Sequence, residues 1–434
     1  MIRSMIDAPS PRRIYLHTFG CRANQYDTER MRQLLERRGC TTVSDPRHAD
    51  AVVVNSCTVT RNADSELRRF VRSLGRRSGR SLPVVVAGCA AAVAREAIES
   101  LEGVAAVVPG QDAAAVAGAL GVFPRSAAEM EPALLRRNER GTRAWLKVQD
   151  GCDLRCSYCI IRVARGESRS RPPGELIEEA RRLAEHHPEI SLTGIHIGLY
   201  GKDIQPRTSF VDLLERLLVE VRDVRFRIGS LECNQLDDRV IDLMATSRGR
   251  LAPHLHVPLQ SGSDAVLRRM RRTYPSRRYR ERVERLCERV WPLGLGTDII
   301  VGFPGEADED HRRTVALVEA LPFTYVHVFP YSERQGTDAT ALPERVPARV
   351  AAGRSRELRE LVRRKAEDHR RRRVGTAAQV VLEGDDMETA VTGDYLKMSA
   401  SDSLRVGGPR LQPARVVASR AGKLRATSVS GLRR

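Results

Sequence analysis

The chain has 434 residues, enough for two or three domains that each bury a core, and no run of eighteen apolar residues, which excludes a membrane-spanning helix. Its formal net charge of +18 and pI near 10.1 favour a polyanionic partner, with RNA or DNA first, although an Arg-rich, Ala-rich genome would give the same balance without functional meaning. Residues 1–13 lack the apolar core of a signal peptide, so the chain is expected in the cytosol with its nine cysteines reduced, and clustered cysteines there favour metal or catalysis over disulfides.

Residues 13–18 read as a strand and 27–38 as a helix, with Met31, Leu34 and Leu35 at helical spacing. Residues 51–55 and 83–87 are apolar enough to be strands buried on both faces, and helices over 66–74 and 92–101 fill the gaps. This rhythm predicts a parallel sheet covered by helices, an N-terminal α/β domain over 1–126. Residues 127–141 dissolve into polar sequence and read as a linker. A second series starts near 145–148 and continues with strands at 189–197, 225–231, 254–259, 296–302 and 325–330. Helical patterns at 175–187, 210–221 and 277–290 separate them. About six βα units predict a partial TIM-like barrel over 142–373, with functional groups at the carboxyl ends of its strands. Residues 348–373 form a long basic helix ending in four arginines. Over 374–434 the pattern changes to short strands with Gly and Asp turns, at 379–382, 388–391, 395–398, 404–406 and 414–418. These predict a small all-β barrel, somewhat more basic than acidic.

Cys152, Cys156 and Cys159 stand at C-x3-C-x2-C just past the first barrel strand, with no fourth cysteine nearby. Three thiolates can hold three irons of a 4Fe–4S cluster and leave the fourth open, whereas a closed electron-transfer cluster or a structural zinc site wants four ligands. Three more cysteines occupy turns: Gly20-Cys21, Asn55-Ser56-Cys57 and Gly88-Cys89. Each follows a predicted strand, and a parallel sheet puts its strand ends on one edge, so Cys21, Cys57 and Cys89 could converge as a second three-thiolate site. Taken singly, each could equally be a small buried residue. His254 and His256 alternate along a strand and share a face. With no acidic or thiol partner near them in sequence, a structural role is expected rather than zinc binding. Cys40, Cys233 and Cys287 match no motif and are expected to pack.

The C-x3-C-x2-C loop resembles that of the radical S-adenosylmethionine enzymes, and the wider sequence resembles the methylthiotransferases among them. The matching stretches are Gly20-Cys21-Arg22-Ala23-Asn24-Gln25-Tyr26-Asp27-Thr28-Glu29, Val54-Asn55-Ser56-Cys57-Thr58-Val59-Thr60, Ala87-Gly88-Cys89-Ala90, Gln149-Asp150-Gly151-Cys152 and Ala164-Arg165-Gly166 with Ser168-Arg169-Ser170-Arg171. They continue with Leu192-Thr193-Gly194, Pro258-Leu259-Gln260-Ser261-Gly262-Ser263, the run from Thr297 to Glu306, and Phe329-Pro330-Tyr331-Ser332. The resemblance implies an auxiliary 4Fe–4S cluster on Cys21, Cys57 and Cys89, a radical-generating cluster on Cys152, Cys156 and Cys159, and a C-terminal TRAM-type RNA-binding barrel. It also implies two uses of S-adenosylmethionine: one molecule methylates sulfur on the auxiliary cluster, and the other supplies the radical that activates a substrate C–H bond. An electron donor such as flavodoxin or ferredoxin would be needed.

By the same resemblance, Tyr158 lies near the cofactor's adenine, or is a core aromatic. Thr193 and Gly194 end a strand whose carbonyls bind the cofactor's amino group. Glu232 accepts from the ribose hydroxyls, or is a solvated carboxylate. Asp298 and Gly302 close a strand facing the cofactor, with simple turn chemistry as the alternative for Gly302. The sequence departs from the family at Arg162, where proline is common, and at His196 and Cys233. Family branches act on isopentenyl-adenosine or threonylcarbamoyl-adenosine at tRNA position 37, or on a ribosomal-protein aspartate. The stretch from Cys21 to Glu29 looks most like the threonylcarbamoyl branch, with the tRNA anticodon stem-loop as partner and no DNA or membrane expected. Competing readings are a non-catalytic iron–sulfur tRNA-binding sensor and a zinc-bound RNA-binding protein.

Overall fold

The computed structural model describes residues 11–59, 61–130, 133–139, 141–405, 409–418 and 423–429. Most of the leader reading at 1–13, Thr60, linker residues 131, 132 and 140, and Val406 lie outside the described residues. The chain forms two compact units that cut across its order. The first takes the residues up to Arg136 together with Gln149–Arg169 and Ser332–Thr340. The second takes Arg137–Val148, Ser170–Tyr331 and the described residues from Ala341 on.

The first unit is built on a five-stranded parallel sheet of β1 (Arg13–Thr18), β2 (Thr41–Val43), β3 (Ala51–Ser56), β4 (Val84–Gly88) and β5 (Val104–Pro109), in the order β2-β1-β3-β4-β5. Every residue of β3 and β4 is buried, as a strand covered on both faces requires. One face packs Tyr15, Val52, Val54, Val84 and Val86 against Leu67, Phe70, Val71 and Leu74 of α2 (Arg61–Ser78). The other packs Ile14, Leu16, Val53 and Val85 against Met31 and Leu35 of α1 (Arg22–Arg37) and the helix Ala113–Ala119. Helix α1 begins five residues before the predicted 27, because Ala23, Asn24 and Tyr26 are buried although two of them are polar. The single helix expected over 92–101 is two short ones, α3 (Cys89–Val93) and α4 (Arg95–Glu99), split at Ala94. The expected linker is partly anchored: Leu135 is fully buried, and the Gln33 side chain bonds Leu134 O at 2.9 Å and Arg136 N at 3.0 Å.

The second unit contains the partial barrel. Its six parallel strands are Ala144–Lys147, Glu189–Thr193, Arg225–Ile228, His254–His256, Gly294–Val301 and Tyr325–Pro330. They lie side by side in chain order as two three-stranded sheets joined by parallel bridges at Phe226–Leu251 and Ser230–His256. Helices at Pro173–Ala184, Phe210–Glu220 and Ser276–Arg289 agree with the apolar periodicity, and the 26-residue helix Ala348–Arg373 follows the last strand. The C-terminal module is a closed five-stranded barrel of Ala377–Glu383, Thr389–Thr392, Lys397–Ala400, Leu411–Ala418 and Leu424–Ser428. The strand expected at 404–406 is instead the short helix Asp402–Arg405, whose Leu404 is buried in the barrel core with Val380, Leu382 and Val416. Its apolarity signals burial, not extension.

The turn Thr392–Tyr395 of this module packs under the larger barrel. Arg227 donates to Gly393 O at 2.8 Å and lies over the Tyr395 ring at 4.8 Å, while Arg225 donates to Gln379 O at 3.0 Å. Both arginines close on Glu189, at 2.6 Å from Arg225 and 2.8 Å from Arg227. Asp394 is in turn held by His369 and Arg373 of the long helix, at 3.0 and 2.8 Å.

Candidate functional site

Strand register explains why Cys21, Cys57 and Cys89 meet. Thr18 pairs with Asn55 and Asn55 with Ala87, so β1, β3 and β4 end together. A cysteine follows each end: Cys21 caps α1, Cys57 directly follows β3, and Cys89 opens α3. Gly20, at φ +102°, allows the close approach, since a Cβ there would stand 2.6 Å from the Cys57 Cβ and 2.9 Å from its Sγ. Asn24 Oδ1 lies 3.7 Å from the Cys21 Sγ and 3.9 Å from the Cys89 Sγ, and its Nδ2 donates to Phe19 O and Ser56 O at 3.0 and 2.9 Å. Burial pushes the Cys57 thiol up and the Cys89 thiol up to about 11, with Arg165 drawing both partly back. Iron takes thiolates, so loading this triad releases protons. Three sulfurs around a glycine-opened gap, with Arg165 Nε donating to Cys89 Sγ at 3.3 Å, fit a 4Fe–4S cluster with one open iron.

Cys152, Cys156 and Cys159 are half-buried on a loop of the same unit. The loop is closed by its own backbone: Cys152 N donates to Gly166 O at 3.0 Å, and Cys159 N to Cys156 O at 3.1 Å. Asp153 accepts from Ser168 N at 2.9 Å, and Gln149 Nε2 reaches Gly151 O at 2.7 Å and Ser168 Oγ at 2.8 Å. From the third segment of the unit, Ala339 N donates to Ser157 O at 2.7 Å. Tyr158, between Cys156 and Cys159 in the chain, is half-buried. Arg162 replaces the family's proline in the first turn of the helix Ile161–Arg165. Its half-exposed side chain points to Glu167 at 3.7 Å.

The loop depends on Gly151. Its φ is +73°, and a Cβ there would lie 1.8 Å from Glu167 O and 2.8 Å from Gly166 O. The backbone conformation alone disfavours a side chain by roughly 1–2 kcal/mol, and the clash cannot relax without opening the Cys152–Gly166 closure. Gly151→Ala is therefore expected to lose about half of the bound iron after anaerobic reconstitution. Full iron content in that variant would contradict this account of the loop.

The remaining expected cofactor contacts lie in the second unit. Thr193 and Gly194 end the strand Glu189–Thr193, and the Thr193 carbonyl accepts from Val148 N at 2.9 Å. Glu232 lies beyond the strand Arg225–Ile228 rather than at its end. It is paired with Arg272, so it is not a solvated carboxylate. Gly302, at φ +74°, follows the strand Gly294–Val301, and a Cβ there would stand 2.6 Å from that of Ala351, which favours turn and packing chemistry. Asp298 lies within the strand and corrects the reading of the histidines: its Oδ2 is 3.1 Å from His256 Nε2. The ligand atoms of His256, Asp298 and His327 lie within 4.8 Å of one another, and His256 Nδ1 faces the Tyr325 hydroxyl at 3.3 Å. Sequence missed this group because the three residues come from three strands that pair only in the fold. Arg165 was also missed, since nothing local shows that its side chain is buried against Cys89. His196 is buried and bonds Gln235 at 3.3 Å. Cys40, Cys233 and Cys287 pack as expected: burial raises all three thiols, to about 11 for Cys233 and about 12 for Cys287.

Two family signatures cover these sites. Residues 13–110 match the Uncharacterized protein family UPF0004, and residues 146–318 match the Radical SAM superfamily. The chain is 34% identical over 410 residues to the threonylcarbamoyladenosine tRNA methylthiotransferase MtaB of Bacillus subtilis, covering 89% of each protein. It is 36% identical over 406 residues to a tRNA-2-methylthio-N(6)-dimethylallyladenosine synthase of a Nocardioides species, covering 88% of this chain and 80% of that one. The chain belongs to the radical S-adenosylmethionine methylthiotransferase family. Methylthiotransferases carry two 4Fe–4S clusters and use S-adenosylmethionine, and this chain has two groups of three free cysteines. The fold agrees with the radical S-adenosylmethionine methyltransferase TsrM of Kitasatospora setae, at TM-score 0.53 and 18% identity, covering 74% of this chain and 75% of that one. No described helix of this methylthiotransferase is long and apolar enough to cross a membrane.

Proposed function

We propose that this methylthiotransferase adds a methylthio group to C2 of N6-threonylcarbamoyladenosine at position 37 of tRNA. The observation that carries the choice of base is the polar face made by His254, His256, Asp298, Tyr325 and His327 on three adjacent strands. A threonylcarbamoyl group offers a carboxylate, a hydroxyl and urea N–H groups to such a face, whereas a dimethylallyl chain offers none and would strand its polar atoms. The match with MtaB over 89% of both chains supports the same choice.

In this reading Cys152, Cys156 and Cys159 hold the cluster that binds S-adenosylmethionine, and Cys21, Cys57 and Cys89 hold the cluster that carries the sulfur. S-adenosylmethionine bound at the first supplies a carbon radical able to take a hydrogen atom from a C–H bond. Tyr158, Thr193, Gly194 and Glu232 are the cofactor contacts proposed, with Glu232 oriented by Arg272, while Asp298 serves the base-binding face and Gly302 the turn. The RNA is drawn by charge. A cleft of about 720 Å³ between the end of the long helix and the small barrel is lined by Arg370, Arg371, Lys397 and Lys423, cations that attract a phosphate backbone. Electrons come from a small carrier such as flavodoxin or ferredoxin.

Mass spectrometry of tRNA nucleosides from a strain lacking this gene tests the assignment. The methylthio form of threonylcarbamoyladenosine should disappear while the unmethylthiolated base accumulates. Loss of methylthio-dimethylallyladenosine instead would transfer the enzyme to the other branch.

A further inference from the structure

A single buried cation joins the two cysteine triads. Arg165 ends the helix Ile161–Arg165, and its side chain is fully buried. Its Nε donates to Cys89 Sγ at 3.3 Å, its Nη2 to Asn24 Oδ1 at 2.5 Å and Asp27 Oδ2 at 3.0 Å, and its Nη1 to Asp150 Oδ1 at 2.8 Å. These partners come from different stretches of chain. Cys89 is a ligand of one triad, and Asn24 lies against the sulfurs of Cys21 and Cys89. Asp150 lies two residues before Cys152 and also accepts from Gly151 N at 2.9 Å. Gly166, the residue after Arg165, accepts from Cys152 N at 3.0 Å. One guanidinium therefore contacts a sulfur of the auxiliary triad and Asp150 at the start of the radical loop, and its own residue directly precedes the Gly166 that closes the loop.

Burying this charge is opposed by desolvation, and the Coulombic pull of Asp27 and Asp150 outweighs it and keeps the group protonated. A lysine ammonium carries its three donors on one nitrogen and could not reach four separated acceptors, whereas the planar fork of arginine reaches them from three. We propose that Arg165 is a positioning residue that sets the auxiliary cluster relative to the radical-generating cluster, and that its bond to Cys89 tunes the auxiliary cluster. This rests on the cluster assignments above. A hydrogen bond to a ligating sulfur raises a cluster's potential. Transfer between two centres also depends on their separation, and a displacement of about 1 Å can lower such a step about 100-fold.

The test uses anaerobically reconstituted enzyme with Arg165→Lys and Asp150→Asn. Iron and sulfide content, the potential of each cluster, the dipolar coupling between the reduced clusters, and methylthio product per 5′-deoxyadenosine are measured together. Arg165→Lys should keep both clusters, shift the auxiliary potential downward, change the inter-cluster coupling, and lower the product ratio about tenfold or more. An unchanged ratio and unchanged potential at full iron would overturn the proposal. A product loss that only tracks lost iron would overturn it too, leaving Arg165 an assembly residue. If Arg165→Lys fails to hold its clusters, Asp150→Asn decides. That variant removes the charge that anchors Arg165 to the radical loop but keeps the Cys89 bond, so coupling and product ratio should change while the auxiliary potential stays. Unchanged coupling in Asp150→Asn rejects the positioning role. Wild-type enzyme that binds iron for only one cluster would instead refute the two-cluster reading itself, whatever Arg165 does.

Discussion

Cys156→Ala is expected to abolish S-adenosylmethionine cleavage, and Cys21→Ala to retain cleavage while losing the methylthio product to background. The separation follows from the ligand sets. Cys156 supplies one of three sulfurs on a loop closed by the Cys159–Cys156 and Cys152–Gly166 backbone bonds, so its loss leaves two thiolates for a cluster that needs three. Cys21 belongs to the other set, where it caps α1 through its backbone without a side-chain capping bond, so removing its sulfur leaves the helix start intact. The two products, 5′-deoxyadenosine and methylthio-nucleoside, are read from one reaction by mass spectrometry. Equal retention of methylthio product in both variants would sink the two-cluster mechanism.

Glu189→Gln is expected to produce the largest loss of stability among single substitutions outside the cysteines. Glu189 is fully buried and pairs with Arg225 and Arg227 at 2.6 and 2.8 Å, with Arg143 at 3.5 Å. Burial alone would raise its carboxyl, but Arg227 and Arg225 outweigh burial and hold it well below the usual carboxylate range. Neutralising it strands buried positive charge, an effect of about 3–5 kcal/mol, which lowers the melting temperature by roughly 10 °C in a unit of this size. The pH dependence has a definite sign. A carboxyl depressed in the folded state stabilises above its unfolded value of about 4.3, and that stability is lost as pH falls below it. The variant should therefore show a weaker fall in melting temperature between pH 5 and pH 3 than the wild type. A shift under about 2 °C at pH 7, measured by calorimetry, would mean that the arginines find other partners.

These expectations differ in how visible they are along the chain. The grouping of Cys21, Cys57 and Cys89 was legible because each follows a strand and a parallel sheet aligns such ends by register, and that of Cys152, Cys156 and Cys159 because of their spacing. Strands β1, β3 and β4 were legible for the same reason that Val52, Val53 and Val54 are fully buried: unbroken apolar runs admit few alternatives. Glu189, Arg225 and Arg227 were not. Charged residues alternating in a strand normally mark a solvated face, and only the turn Thr392–Tyr395, more than 150 residues away, turns that face into an interior. Asp298 was noted as a cofactor contact, yet its bond to His256 depends on the neighbouring strand. The helix Asp402–Arg405 was missed because a single buried leucine between polar residues carries no period from which to tell helix from strand.

The first unit's discontinuity has a consequence for biosynthesis. Its sheet is complete once β5 has emerged, but the Cys152 loop and the segment Ser332–Thr340, whose Arg334 pairs with Asp64 at 2.7 Å and whose Ala339 fastens Ser157, arrive later. At ordinary translation speeds the interval from β5 to Thr340 is roughly 10 to 50 s. For the first part of that interval, about 3 to 11 s until Arg165 has been made, Cys21, Cys57 and Cys89 stand without Arg165 and Asp150, the groups that later lie against them. The ribosome thus delivers one triad of thiols well before its cover, leaving a period in which an iron–sulfur scaffold protein, or an oxidant, reaches them first.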